Sequence, residues 1–317
     1  MEQYERIVAA NAQKVLEQVR QAVVGKDHVL VWALASILAK GHILLEDIPG
    51  VGKTTMALAF SKTLEMEYGR VQFTPDVLPS DVTGYSILDQ KTGEMTYKKG
   101  AVLCNLFLAD ELNRATSRTQ SALLEAMEEG QVTVDGVTYP VPQPFAVIAT
   151  QNPTGAAGTQ LLPDSQMDRF MVRLSLGYPA AKDELAMLMG RQQGNPLHKL
   201  VPVVSRQQLC QLQEIVENTF AGEAVAGYTV ALVQATRRSP LLQRGASPRS
   251  TLALLALSKA LAQLRGRNYV LPEDVQECFS RCLAHRVQLS AAAQAKNMSA
   301  EDVLMQIQAT VAQPRLR

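Results

Sequence analysis

The sequence predicts an α/β domain built on a mostly parallel sheet, followed by a smaller helical domain. Three observations carry this reading. Through the first half, short and nearly continuous apolar runs alternate with helical patterns, as strands covered on both faces require. A glycine-rich turn, EDIPGVGKTT at 46–55, stands between one such run and an amphipathic helix. From about residue 182 the texture becomes one of successive helices with little strand. A chain of 317 residues is long enough for two domains. The division expected is an α/β nucleotide-binding domain over 1–180 and a helical domain over 181–317.

Taken in order, the run VLVWALASILA at 29–39 is too short to span a bilayer and reads as a buried helix. Candidate strands are HILLE at 42–46, RVQF at 70–73, NLFLA at 105–109, FAVIAT at 145–150 and MVRLSL at 171–176. Two further segments read as hairpins. In QVTVDGVTYPV, apolar residues alternate on either side of Asp135-Gly136, a pair that suits a two-residue turn with positive φ at both positions. SILDQKTGEMTYKKG, 86–100, reads as a second hairpin turning around Lys91 to Gly93. Both inserts are expected to protrude and to touch partners; covering a sheet edge is the alternative. In the helical half, Ser205 with Gln208 and Ser299 with Asp302 form capping boxes. Ser247 precedes Pro248 as an N-cap before a first-position proline, and LPEDV at 271–275 starts a helix with acids in its first turn.

Bulk properties narrow the classes. The chain has 31 basic and 30 acidic residues, a balance without the footprint of a nucleic-acid binder. The amino terminus carries acids early and lacks an apolar signal core, so a cytoplasmic protein is expected. Cys104, Cys210, Cys278 and Cys282 show neither a disulfide framework nor zinc spacing. Cys278 and Cys282 share a helical face and read as buried thiols.

The turn at 46–55 fits the phosphate-loop pattern G-x-x-x-x-G-K-[ST] except at its first position, where Asp47 stands for glycine. Backbone N–H groups from Gly50 through Val51, Gly52 and Thr55 are expected to wrap phosphates, aided by the helix dipole. Lys53 is expected to pair with the β- and γ-phosphates, and Thr54 to offer its hydroxyl to Mg²⁺. Asp47 lies where the loop leaves its strand, and Asp is among the few residues that visit positive φ cheaply. CNLFLADELNRA delivers Asp110 and Glu111 to a strand's carboxyl end, where ligands sit in open α/β sheets. Asp110 is expected to hold Mg²⁺ through water and Glu111 to polarise an attacking water. Asn152 ends FAVIATQN beside them and can orient that water. Two arginines complete the set: Arg169, before the last strand, and Arg249, in the first turn of a helix. A cation there opposes the dipole by roughly 0.3–1 kcal/mol, so an anion, phosphate or carboxylate, is expected near Arg249.

With these residues assembled, the chain resembles the MoxR family of AAA+ ATPases. The resemblance rests on LLEDIPGVGKT, FLADELNRA, QSALLEAMEEGQVTVDG, IATQNP, LLPDSQMDRF and SPRS, in that order, over nearly the whole length. It implies an AAA+ P-loop NTPase core with a five-stranded parallel sheet and a small helical lid, assembled as a hexameric ring that binds ATP and Mg²⁺. It implies Lys53 and Thr54 as Walker A, Asp110 and Glu111 as Walker B, and Asn152 as sensor 1. Arg169 matches the finger acting on a neighbour's nucleotide, and Arg249 the sensor 2 that links nucleotide to lid. In QAVVGKDHV, Val24 and Gly25 match the adenine-side segment. The hairpins match the helix-2 insert and the pre-sensor-1 hairpin. Arg114 and Arg118 follow Walker B and can also reach a neighbouring site. The implied work is remodelling, activation or cofactor insertion of a client protein, with partners that carry von Willebrand factor A domains. Two alternatives stand beside it: a nucleic-acid motor touching phosphates through Lys91, Lys98 and Lys99, and a nucleotide switch that does not hydrolyse.

Overall fold

The computed structural model describes residues 6–91, 93–152, 162–192 and 194–315. Strands are β1 (Ile43–Glu46), β2 (Tyr68–Gln72), β3 (Gly84–Leu88), β4 (Met95–Lys99), β5 (Leu106–Asp110) and β6 (Gln131–Val134). They continue with β7 (Val137–Pro140), β8 (Ala146–Gln151), β9 (Val172–Leu174), β10 (Leu242–Arg244) and β11 (Gln288–Leu289). Helices begin with α1 (Ile7–Arg20), α2 (Asp27–Leu38), α3 (Lys53–Thr63), α4 (Pro79–Thr83), α5 (Ser117–Glu129) and α6 (Asp164–Met167). Then come α7 (Ala181–Gln192), α8 (Arg206–Glu217), α9 (Glu223–Arg238), α10 (Pro248–Leu264), α11 (Pro272–Leu283), α12 (Ala291–Ala295) and α13 (Ala300–Thr310).

The five predicted strands form one parallel sheet in the order β2-β5-β8-β1-β9. Every residue of β5 and of β8 is buried, which accounts for the unbroken apolarity of LFLA and AVIA. Parallel strands all point their carboxyl ends to one edge, and there the phosphate loop, Asp110 and Asn152 gather. His42 marks the other edge. Its Nδ1 accepts a hydrogen bond from the Val147 N–H (3.1 Å), and its Nε2 meets the Met127 carbonyl (3.1 Å). That pairing assigns a neutral ring with the proton on Nε2. It ties β1, β8 and the end of α5 together.

Apolar residues sort to the two faces of the sheet. One face carries Leu44, Phe107, Ala109, Val147 and Ala149, packed with α4 and α5. The other carries Ile43, Leu45, Leu106, Leu108 and Ile148, continuous with α1, α2 and the helices after residue 200. The helical half is thus not a separate ball. Its core runs into that of the sheet through Trp32, Leu34, Leu209, Leu254 and Phe279.

Both hairpins form. In β6–β7, Asp135 (φ 51°) and Gly136 (φ 78°) take the two positive-φ positions that the Asp-Gly pair predicts. The β3–β4 hairpin pairs Gly84 with Lys99 and Leu88 with Met95, starting two residues before its sequence reading and ending one before it. Its turn around Lys91 to Gly93 includes Thr92, which lies outside the described residues. Tyr97 of one hairpin stacks on Tyr139 of the other, centroids 3.8 Å apart, so the two inserts brace each other. The expected caps are present: Ser205 with Gln208, Ser299 with Asp302, and Ser247 accepting from the Ser250 N–H.

Candidate active site

The phosphate loop leaves β1 and turns into α3 with Gly50 (φ 86°) and Gly52 (φ 101°) in conformations that L side chains avoid. Among the described residues nothing stands within 4 Å of where a Cβ would project at either glycine, so the loop is an open cradle of backbone donors rather than a packed turn. Lys53 is buried, and its Nζ donates to the Asp47 carbonyl at 2.7 Å. Burial pushes the Lys53 pKa down, opposed by the negative charges of Asp47, Asp110 and Glu111. A cation set among three acids, with one carbonyl bond among the described residues, is suited to accept phosphate oxygens.

The expectation for Asp47 needs correcting. It is not among the residues with positive φ, so tolerance of a left-handed turn does not explain it. Its side chain is buried and turned away from the cradle, accepting from the Ser175 hydroxyl (2.9 Å), the Leu176 N–H and the Gly177 N–H (3.0 Å). The aspartate is there to hold the chain that leaves β9.

Opposite Lys53, register places Gln72 beside Asp110 and Ala109 beside Ala149. Asp110 accepts from the Thr150 hydroxyl at Oδ1 (2.7 Å) and from Arg70 at Oδ2 (2.7 Å). Glu111 stands at φ 55°, a strained position for a non-glycine residue. Its N–H donates to Thr150 Oγ1 (2.9 Å), its Oε2 faces Arg114 at 3.0 Å, and Asn152 Nδ2 lies 3.4 Å from its Oε1. The Asn152 Oδ1 is buried and has no partner among the described residues. Gly50, Gly52, Lys53, Thr54, Thr55, Asp110, Glu111 and Asn152 line one polar cleft of about 300 Å³. A second cleft of about 330 Å³ continues from the same loop, walled by Val24, Lys26, Val51, Tyr178, Pro179 and Met187. A triphosphate on the first and an apolar base in the second match these walls. Gly25 borders the base side at φ 71°, where an added Cβ would meet Asp183. Among the described residues no group of three His, Cys, Asp or Glu side chains converges to hold a metal alone. One carboxylate and one hydroxyl beside a phosphate cradle suit Mg²⁺, which keeps its waters and shares phosphate oxygens.

Arg169 and Arg249 are not brought to this cleft. Both converge on Glu128, Arg169 Nε at 2.8 Å from Oε2 and Arg249 Nη1 at 2.8 Å from Oε1. Glu128 follows Met127, whose carbonyl meets His42 at the amino end of β1. Lys53 follows the carboxyl end, so the length of that strand, roughly 13 Å, lies between them. Glu128 is the anion that the position of Arg249 called for, a carboxylate rather than phosphate. The two arginines hold the Glu128 carboxyl below its usual range. The segment around Arg169 is anchored to the lid: Asp168 accepts from Ser247 (2.8 Å) and Ser250 (3.2 Å), and the Phe170 carbonyl accepts from Arg286 (2.7 Å). Arg114 pairs with its own chain's Glu111, and Arg118 is exposed. Thr150, Arg70 and Glu128 escaped the sequence reading. Only the parallel register puts Thr150 and Arg70 beside Asp110, and nothing in MEEG distinguishes Glu128 from its neighbours.

Comparisons with known proteins agree with this geometry. The profile described as "ATPase family associated with various cellular activities (AAA)" matches residues 42–172, and an AAA lid domain profile matches 234–307. The chain is 45% identical to the uncharacterized protein YeaC of Bacillus subtilis, over 95% of this chain and 94% of that one. It is 39% identical to the chaperone MoxR1 of Mycobacterium tuberculosis, over 96% and 82% respectively. It is 29% identical to the protein MoxR of Methylorubrum extorquens, over 85% of each. A crystal structure of a candidate ATPase from Cytophaga hutchinsonii superposes with a TM-score of 0.90 at 36% identity, covering 99% of this chain and 97% of that one. With its parallel sheet, phosphate loop and helical lid, the chain belongs to the MoxR family of AAA+ ATPases.

Proposed function

We propose that this protein is a Mg²⁺-dependent ATP hydrolase whose site is completed by a second copy of the chain. One observation carries the shared site: Arg169 and Arg249 sit together at the sheet edge away from their own phosphate loop. A ring in which that edge faces the neighbour's cleft would bring both to one γ-phosphate. Within a protomer, the backbone of Gly50–Thr55 and Lys53 bind the phosphates, and Val24, Gly25 and Val51 lie on the base side. Thr54 and Asp110 would hold Mg²⁺, which when bound neutralises charge on the phosphate oxygens. Glu111 accepts a proton from the attacking water, and Asn152 orients that water. The neighbour's arginines stabilise charge on the transferring group, a contact worth up to ~10³–10⁵ in rate in other nucleotide hydrolases. In this reading the chain divides near residue 180 into motor and lid, and six copies close the ring. It works in the cytoplasm.

The work done is remodelling, activation or cofactor insertion of a client protein, or of a partner with a von Willebrand factor A domain. A chaperone among the relatives supports this. So does the β3–β4 hairpin, which exposes Tyr85, Ile87, Leu88 and Met95. An apolar strip of this kind suits protein rather than phosphate backbone. Lys99 of that hairpin is paired with Glu67, which further weakens the nucleic-acid motor. Among the described residues no helix is long and apolar enough to cross a membrane.

Phosphate release per protomer, measured across protein concentrations, tests the shared site. The rate should climb with concentration and collapse in Arg169→Ala. Mixing Arg169→Ala with Lys53→Ala should recover part of it, because one supplies an intact cleft and the other intact arginines. No recovery, with each variant folded and assembled, would sink the shared site.

A further inference from the structure

The aspartate that breaks the phosphate-loop pattern is one half of a clamp. Between β9 and α7 the chain runs through Ser175, Leu176, Gly177 and Tyr178, and Tyr178 with Pro179 walls the second cleft. On one side the Asp47 carboxylate takes the Ser175 hydroxyl and the N–H groups of Leu176 and Gly177. On the other side Lys26 Nζ donates to the carbonyls of Gly177 (3.1 Å) and Tyr178 (2.8 Å). Backbone donors and acceptors of one short segment are thus held by opposite charges from two different parts of the chain. Leu176 anchors the start of the segment in the core, but beyond it the wall gains no packing from α7, which contributes no buried residue.

We infer that Asp47 and Lys26 are positioning residues for the nucleoside end of the ligand. They hold the segment 175–178 at the cleft so that the base is received against a fixed wall, apart from the grip of the loop on phosphate. This rests on the nucleotide reading above. The Asp47 side chain bonds no group of the cradle and reaches Lys53 only through its charge; the bond to Lys53 is made by its carbonyl, which survives any substitution. A glycine at 47 would satisfy the loop and abandon the wall.

The separation of base from phosphate makes the test. Binding of ATP and of inorganic tripolyphosphate is measured by calorimetry on the full chain, in wild type, Asp47→Asn and Lys26→Met. Asp47→Asn keeps the shape but turns an amide N–H toward a backbone N–H. Lys26→Met acts from the other side, on a partly exposed residue that the core does not need. In both variants ATP should bind about tenfold more weakly, as for loss of a hydrogen bond to a charged group. Tripolyphosphate should bind Lys26→Met as it binds wild type, and should bind Asp47→Asn, which also removes a negative charge near Lys53, no more weakly than wild type. Equal weakening of both ligands, or no weakening of ATP, would overturn the clamp. A wild type that binds neither ligand would instead overturn the nucleotide reading, and the clamp with it.

Discussion

Glu128 carries one negative charge between two arginines, and all three side chains are only partly buried, at 37%, 27% and 42% exposure for Glu128, Arg169 and Arg249. Ion pairs so exposed are worth about 0–1 kcal/mol each. A phosphate offers a larger charge and bidentate geometry, so in the proposed ring the arginines would be held in place yet be easy to transfer. Glu128→Gln should therefore lower the protein concentration at which the per-protomer rate is half-maximal, by a few-fold. A rate that instead collapses as in Arg169→Ala would mean that the carboxylate is needed to aim the arginines. Asp110 and Glu111 are read from the sequence by their place after LFLA. Thr150, which bridges them by accepting from the Glu111 N–H and donating to Asp110, is invisible there. Its spacing from Asp110 is set by the register of two strands 40 residues apart.

At the scale of elements, the amino edge of the sheet depends on an uncharged histidine. Burial pushes His42 down to about 4 from an ordinary 6.5. The unfolded chain therefore takes up a proton near pH 6.5 that the folded chain refuses until about pH 4. Stability is fully present above pH 6.5 and is lost as pH falls between these values, by on the order of 3 kcal/mol in all. Urea denaturation at pH 7.5 and pH 5 should show this loss, and His42→Gln should flatten it. An unchanged slope in the variant would point to other groups, of which the buried His285 is the next candidate. The β6–β7 turn makes a second prediction. Replacing Gly136, at φ 78°, by Val should destabilise by about 1–2 kcal/mol through backbone strain alone, read as a lower melting temperature. Wild-type stability would refute the strain.

Across the whole molecule, the lid and the arginine segment behave as one body. Ser247 caps α10 and also reaches Asp168, Ser250 reaches the same carboxylate, and Arg286 holds the Phe170 carbonyl. Any turn of the lid is thus passed to Arg169 directly and to Arg249 by its place on α10. Paired substitution of Ser247 and Ser250 by Ala should lower the assembled rate at least several-fold while leaving ATP binding unchanged. Such a variant should still complement Arg169→Ala poorly, since in the proposed ring both lack the donor side. Efficient complementation would show that lid and finger are uncoupled.

The sequence by itself determined the parallel sheet, its five strands, the two hairpins and the phosphate side of the cleft. These rest on local rules: apolar runs buried on both faces, an Asp-Gly turn, and glycines before Lys53. Tertiary structure alone decided where Arg169 and Arg249 meet, what Asp47 holds, and how the helical half shares its core with α1 and α2. Each of those involves a contact between residues more than 75 positions apart, as between the side chains of Arg249 and Glu128, 121 residues distant, or the Gly177 N–H and the Asp47 carboxylate, 130 residues distant. No spacing in the chain encodes such meetings, because they arise only once strand order and packing bring distant edges together.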